Sequence, residues 1–174
     1  ISFGTAVQFD SASTSAATAP TFDSNSNKVV IAWQDAGNSS NGYGIVGTVS
    51  GTAISFGTKA VFESGGAYYV AATFDSSNNK VVIAYYDYNN SYYGTAAVGT
   101  VSGTAISFGT PVVFEGGGQA SYNGITFDSN VNKVVITYKD VGNSNYGTAI
   151  EGTVSGTSIS FGTAVVFETA ATSY

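Results

Sequence analysis

Carboxylates are the residues of this chain with the most obvious capacity for chemistry. The sequence has 11 acidic residues and five basic ones, all lysine, and it contains neither histidine nor cysteine. A glycoside hydrolase uses two carboxyl groups in different environments, one as the acid and the other as the nucleophile or base. Every acidic residue except Glu151, however, recurs at a fixed place in a repeated unit, where aspartate commonly forms turns with its own backbone. The pattern favours turns and leaves catalysis as the alternative; the recurring residues are Asp10, Asp23, Asp35, Glu63, Asp75, Asp87, Glu115, Asp128, Asp140 and Glu168.

Two segments carry oxygen-bearing side chains at alternate positions, which is the pattern of the first half of a Ca²⁺ loop. The glycine that such a loop needs at its sixth position is replaced by Lys28 or Lys133, and the distal glutamate is missing. The spacing therefore favours plain Asx turns over metal sites, and we expect no cofactor. The residues of the two segments are Asp23, Asn25, Asn27, Asp128, Asn130 and Asn132.

These residues belong to a unit that recurs along the chain. The stretch Ile-Ser-Phe-Gly-Thr begins at Ile1, Ile54, Ile106 and Ile159, and a fixed period of about 53 residues indicates an array of one supersecondary unit. The predicted boundaries are 11–63 for repeat 1, 64–115 for repeat 2 and 116–168 for repeat 3. Residues 1–10 would be the outer strand of a preceding unit, and residues 169–174 the start of a further connection.

Repeat 2 shows four predicted strands, here called A to D. They are Tyr69–Phe74, Lys80–Asp87, Gly94–Ser102 and Ala105–Glu115, separated by polar turns. Strand B is apolar nearly throughout, as expected for a strand that is covered on both faces. Strand D alternates around apolar residues, with a bulge expected at Gly109.

Four short antiparallel strands per unit predict an all-β, propeller-like array of blades, with three full repeats and one extra strand D. A β-solenoid is the alternative, but its coils are shorter and its strands stack in parallel. Three blades are too few for a closed propeller. We therefore expect either a segment of a longer array or identical chains that associate through strand edges into a ring or filament.

The composition of the chain limits the classes of partner that it could bind. The net charge is −6 and only 9% of the residues are charged, so no basic stripe exists to neutralise nucleic-acid phosphates. No apolar run approaches the ~18 residues that span a bilayer, and we expect no membrane insertion.

Variation among the repeats concentrates in the D–A and B–C connections, which leave an antiparallel meander on the same side. One face can then diversify over a fixed scaffold, although loops also drift without function. Tyrosine rings stack on sugars and asparagine amides bind their hydroxyls. The candidate ligand-binding residues are Tyr43, Tyr68, Tyr88, Tyr92, Tyr122, Tyr146, Asn38, Asn90 and Asn143.

The repeat signature reads Phe-Asp-Ser-x-x-Asn-Lys-Val-Val-Ile-Ala-Tyr-x-Asp, followed by Tyr-Gly-Thr-Ala and Gly-Thr-Val-Ser-Gly-Thr-x-Ile-Ser-Phe-Gly-Thr, and covers residues 22–168. It resembles tandem repeats in structural, tail-fibre-like proteins of marine bacteriophages and aquatic bacteria. The blade plan is also similar to sialidase-type propellers, but the sialidase Asp-box and arginine triad are missing. The resemblance implies an extracellular, cell-surface or virion location and no active site. We expect a non-enzymatic structural or adhesive module that contacts cell-surface glycans, with a propeller-type glycoside hydrolase as the alternative.

Overall fold

The computed structural model describes residues 3–11 and 14–170, and within them the chain is all-β. Runs of β-branched and aromatic residues form the strands, and Asp, Asn, Ser and Gly form the turns between them. The fifteen strands of the described residues are β1 Thr14–Asp23, β2 Lys28–Asp35, β3 Asn41–Ser50, β4 Ala53–Phe56, β5 Ala60–Glu63, β6 Ala67–Asp75, β7 Lys80–Asp87, β8 Tyr93–Ser102, β9 Ala105–Phe108, β10 Val112–Glu115, β11 Ala120–Asp128, β12 Lys133–Asp140, β13 Tyr146–Ser155, β14 Ser158–Phe161 and β15 Val165–Glu168.

The strands form three similar antiparallel sheets, one for each repeat. In the first sheet β1, β2, β3 and β4 are neighbours in that order, and β5 also pairs with β3. The second and third sheets repeat this plan with β6 to β10 and β11 to β15. The prediction of tandem four-stranded antiparallel β repeats is therefore confirmed.

Strand D is broken in two, which differs from the single bulged strand that the sequence predicts. In repeat 2 the pieces are β9 and β10, which both pair with β8 and leave out residues 109–111. Gly109 lies at this break against the backbone carbonyl of Thr157 in repeat 3. Pro111 has no N–H to donate to a ladder. The same break occurs in repeats 1 and 3, which have no proline there, and Gly162 of repeat 3 meets Glu151 rather than a following repeat. In all three repeats the N–H of the glycine at the break donates to a strand C carbonyl, so the break belongs to the repeat unit itself.

The predicted extra strand D over Ile1–Asp10 is not formed in residues 3–10; Ile1 and Ser2 lie outside the described residues. A strand D needs a strand C as its partner, and β3 is already paired with β4 and β5. The side chain of Phe9 nevertheless packs as the phenylalanine of a strand D does. Phe9 packs against Trp33 and Phe56 as Phe62 packs against the corresponding rings of repeat 2.

The sheets stack on one another, and the middle one is buried on both sides. Val81, Ile83 and Tyr85 of β7 share a core with repeat 1. Val82 and Ala84, which alternate with them, share a second core with repeat 3. This confirms the prediction that strand B of repeat 2 is covered on both faces, because successive side chains of a strand point in opposite directions. The A strands β1, β6 and β11 lie next to each other along the stack.

No helix in the described part of the chain is long and apolar enough to cross a membrane.

Candidate functional site

The B–C turn of repeat 2 places one tyrosine in a strained backbone conformation. The Asn90 N–H donates to Asp87 Oδ1 at 3.1 Å, and the Tyr93 N–H donates to the Asn90 carbonyl at 3.0 Å. Between these bonds Ser91 and Tyr92 have φ values of 54° and 68°. A bulky residue in this left-handed region costs free energy, about 1–2 kcal/mol.

A bulge in strand A brings a second tyrosine to the same side. Tyr68 pairs with Tyr86, but the next pair joins Ala71 to Ala84, so residues 69 and 70 face a single residue of β7. Tyr69 has a φ of 50° at this bulge. The equivalent residue of repeat 3, Tyr122, lies in the same kind of bulge with a φ of 56°. Bulges redirect side chains at sheet edges.

Six rings meet at this place and form what we call the tyrosine surface. Its members are Tyr68, Tyr69, Tyr86, Tyr88, Tyr92 and Tyr122.

Tyr86 lies at the centre of the tyrosine surface. The ring of Tyr92 stacks on it at 5.4 Å, nearly parallel, while Tyr68 and Tyr69 approach it edge-on at 5.5 and 5.9 Å. Tyr69 in turn contacts Tyr122 of repeat 3 at 4.6 Å. The surface therefore spans two repeats, and its geometry follows the T-shaped and offset arrangements that aromatic pairs prefer.

The surface has a buried floor and an exposed rim. Tyr86 is 8% exposed, whereas Tyr88, Tyr92 and Tyr122 are 49%, 42% and 44% exposed. Burial, together with the neighbouring tyrosines, raises the pKa of Tyr86 to about 12. Its hydroxyl is therefore protonated at neutral pH. The Lys139 ammonium lies 6.0 Å from the Tyr122 ring centroid, within reach of a cation–π contact.

The left-handed position of Tyr92 is occupied by small or polar residues in the other repeats. Ser40 and Asn145 stand there, with φ values of 58° and 63°. Asparagine tolerates this conformation far better than tyrosine does. Ser40 and Asn145 form the same turn, so the fold does not require tyrosine at this position. Because Tyr92 is strained and 42% exposed, its side chain is a candidate for function.

The structure brings together four of the candidate tyrosines predicted from sequence: Tyr68, Tyr88, Tyr92 and Tyr122. Tyr43 lies elsewhere, 8% exposed and stacked on Trp33 at 5.8 Å. Tyr146 is half-buried at the start of β13, outside the tyrosine surface.

The three candidate asparagines, Asn38, Asn90 and Asn143, build the B–C turns with their backbones. The side-chain amide of Asn38 also donates to the Tyr43 hydroxyl at 2.6 Å. Their contribution to the fold is therefore visible in the structure, while a contribution to ligand binding stays a prediction.

Sequence reasoning missed Tyr69 and Tyr86, which join the other rings. Both were assigned only to strands. Part of the signal was present in the A–B turn, because counting outward from the pairing of Asp75 with Lys80 sets Tyr69 opposite Tyr86. The bulge at residues 69 and 70 then shifts the pairing by one residue, so that Tyr68 lies opposite Tyr86. Counting outward from that turn would have placed the two tyrosine pairs of repeat 2 side by side.

The residues of the weak Ca²⁺ candidates take part in Asx turns. Asp23 Oδ1 accepts bonds from the N–H groups of Asn25 and Ser26, and Asp128 Oδ1 accepts one from the N–H of Asn130. Asn27 and Asn132 have left-handed φ values of 55°. Among the described residues no group of three or more His, Cys, Asp and Glu side chains could hold a metal ion.

Acidic residues at the ends of strands B and D lie close together where one repeat meets the next. We call Glu63, Asp87, Glu115 and Asp140 the junction carboxyls. Glu63 accepts a bond from the Tyr85 hydroxyl at 3.1 Å, and Glu115 accepts one from the Tyr138 hydroxyl at 3.0 Å. Burial and the charge of Asp87 raise the pKa of Glu63 above its ordinary value of 4.5. Burial is also the main cause that raises the pKa values of Asp87 and Asp140.

At the corresponding place in repeat 1, a lysine lies between the two carboxylates Asp10 and Asp35 and forms ion pairs with both. The Lys59 ammonium lies 3.0 Å from Asp10 and 3.2 Å from Asp35, and both carboxylates are almost fully buried. Burial opposes the charge of Lys59, but hydrogen bonds to the two aspartates outweigh it and raise the pKa of Lys59. The ammonium also lies 4.3 Å from the ring centroid of Tyr43. This non-repeating cluster therefore links residues 3–10 to repeat 1.

Comparisons with protein-family models, with curated proteins and with solved structures found no significant match to this chain.

Proposed function

We propose that this chain is a non-enzymatic structural and adhesive module that binds glycans on the tyrosine surface. The observation that carries the proposal is the exposed rim of Tyr88, Tyr92 and Tyr122, because two of these three rings are held in left-handed conformations. Aromatic faces of this kind stack on the C–H side of a sugar ring, and tyrosine hydroxyls can form hydrogen bonds with its hydroxyl groups.

An open aromatic surface suits weak contacts that are repeated. Each ring contributes about 0.5–1.5 kcal/mol, and several sites engaged together gain affinity by multivalency. The tyrosine surface already extends from repeat 2 to repeat 3 through the contact of Tyr69 with Tyr122. A propeller-like array in an extracellular, cell-surface or virion protein of the tail-fibre type would gain this multivalency from several copies of the chain, each with one tyrosine surface.

A glycoside hydrolase is less well supported by the geometry. The carboxyl groups that could form a catalytic pair lie between repeats and are bound to a tyrosine hydroxyl or a lysine ammonium. Asp35, Asp87 and Asp140 are each less than 9% exposed. Such groups are engaged in the repeat junctions rather than directed at a substrate.

A glycan array probed with the full chain tests the proposal, followed by the triple change Tyr68→Ser, Tyr92→Ser and Tyr122→Ser. We expect binding on the array and its loss in the triple variant, with an unchanged circular dichroism spectrum. The matched control is Tyr93→Asn, since Asn41 holds this place in repeat 1. Binding that survives the triple change would exclude the tyrosine surface as the binding site.

The single change Tyr92→Asn separates binding from folding. Relief of the left-handed strain, about 1–2 kcal/mol, offsets the loss of the ring contacts with Tyr86 and Tyr88, about 0.5–1.5 kcal/mol each. We therefore expect the urea midpoint to stay close to that of the native chain while glycan affinity falls roughly tenfold. A variant that binds as the native chain does would remove the reason for keeping tyrosine at this position.

A further inference from the structure

One face of repeat 3 corresponds to the faces of repeats 1 and 2 that pack against the following repeat, and it differs from them at one position of strand C. A repeated hydrogen bond identifies the equivalent residues: Gly57 donates to the carbonyl of Val46, Gly109 to that of Val98, and Gly162 to that of Glu151. Val46 and Val98 are buried in the cores that join successive repeats. Glu151 is 45% exposed at the side chain.

The glycine at each of these places marks where the next repeat is seated. A Cβ atom on Gly57 would collide with the backbone carbonyl of Thr104, and one on Gly109 with that of Thr157. Both threonines belong to the C–D turn of the following repeat. Beside Gly162 the nearest atom is instead Oε1 of Glu151, 2.6 Å from the position of such a Cβ. The glutamate side chain therefore occupies the seat of the next repeat's turn.

Neighbouring residues hold this arrangement and make the face polar. The Lys133 ammonium lies 3.0 Å from Glu151 Oε2. Thr137 stands where repeat 2 has Ala84, and Lys139 where it has Tyr86. A repeat that stacked on this face would bury a carboxylate and separate it from its lysine, which is costly.

We propose that Glu151 stops the stacking of repeats, and that the partner it keeps off this face is repeat 1 of a second copy of the chain. The face retains the apolar half of a repeat junction: Val165 and Phe167 are 62% and 63% exposed. Phe167 stands where Phe62 and Phe114 insert into the following repeat. Without the glutamate, the face would continue the internal junctions of the chain.

The receiving face on repeat 1 is covered as well. Gly4 lies against the backbone carbonyl of Thr52, in the same relation as Gly57 to Thr104. Phe9 packs on Trp33 at 5.1 Å, and Asp10 accepts a bond from the Trp33 indole N–H at 3.1 Å. Residues 3–10 thus fill the seat that the last strand of another copy would need. Head-to-tail association must displace them, which limits the ring or filament expected from the sequence.

Sedimentation velocity over a dilution series tests the proposal, independently of any glycan. The native chain should remain monomeric at about 100 µM, and Glu151→Val should assemble in a concentration-dependent way. The matched control Ser129→Val adds an exposed valine to the A–B turn of the same repeat and should stay monomeric.

Two second-site changes make the result specific. Adding Phe9→Ser to Glu151→Val should strengthen assembly roughly tenfold by freeing the seat on repeat 1, and adding Phe167→Ser should abolish it. Glu151→Ala, which also empties the seat, should assemble more weakly than Glu151→Val. The proposal is overturned if Glu151→Val and Glu151→Ala, with native circular dichroism spectra, stay monomeric. It is overturned equally if the native chain assembles as tightly as Glu151→Val.

Discussion

Replacing Phe62 by alanine tests whether the repeat junctions hold the chain together. Phe62 is 5% exposed, and its ring lies 5.2 Å from Tyr85 and 5.7 Å from Phe108, both in the next repeat. Truncating such a buried ring costs about 3–5 kcal/mol. Phe167 holds the same place in repeat 3 but is 63% exposed. Only about one third of the ~1.5–3 kcal/mol for full burial is then lost, which is about 0.5–1 kcal/mol.

Urea unfolding followed by circular dichroism measures the difference. With a slope of about 2 kcal/mol per molar urea, the midpoint should fall by about 1.5–2.5 M for Phe62→Ala and by less than about 0.5 M for Phe167→Ala. Phe114→Ala should behave like Phe62→Ala, because Phe114 is 7% exposed and its ring lies 5.3 Å from Tyr138. Equal midpoint shifts for the Phe62 and Phe167 variants would refute the view that these rings act through the following repeat.

Three further outcomes are expected. Because their raised pKa values make the folded state bind protons more readily than the unfolded state, Glu63, Asp87 and Asp140 stabilise the fold most at low pH and lose this effect as pH rises through their folded pKa values. The urea midpoint should therefore increase from pH 7 to pH 5, and less so in Glu63→Gln. A midpoint that falls over this range in the native chain would contradict that sign. Lys59→Met leaves two buried carboxylates without their cation and should lower the free energy of unfolding in urea by about 3 kcal/mol. The fluorescence emission of the single tryptophan beside them should change as well. Unchanged stability would show that the ion pairs make no net contribution to it. Gly57→Ala should lower the melting temperature by more than Gly162→Ala. The added methyl group meets backbone atoms in the first case and the end of a flexible side chain in the second. Equal melting temperatures would argue against close packing of one repeat on the next.

The strands and turns of each repeat could be predicted from the sequence because they depend on local chemistry. Lys80–Asp87 was predicted with the bounds that the structure shows, since an apolar run between two polar turns leaves little choice. Asp23, Asp75 and Asp128 form their turns through bonds to backbone two or three residues on, which the spacing alone specifies. Repetition made the three sheets predictable together.

Contacts between repeats were decided only by the tertiary structure. The close approach of Gly109 to the backbone of the next repeat follows from the stacking of the sheets, and residues 3–10 form no strand because β3 is already paired with β4 and β5. The tyrosine surface depends on two bulges and on the stacking of repeat 2 against repeat 3, neither of which a linear pattern specifies. Glu151 stood out in the sequence only as the acidic residue that does not recur. In the other repeats the glycine equivalent to Gly162 contacts the turn of the following repeat, and Glu151 lies beside this position in repeat 3. That placement depends on how whole sheets stack, which involves surfaces distant in sequence.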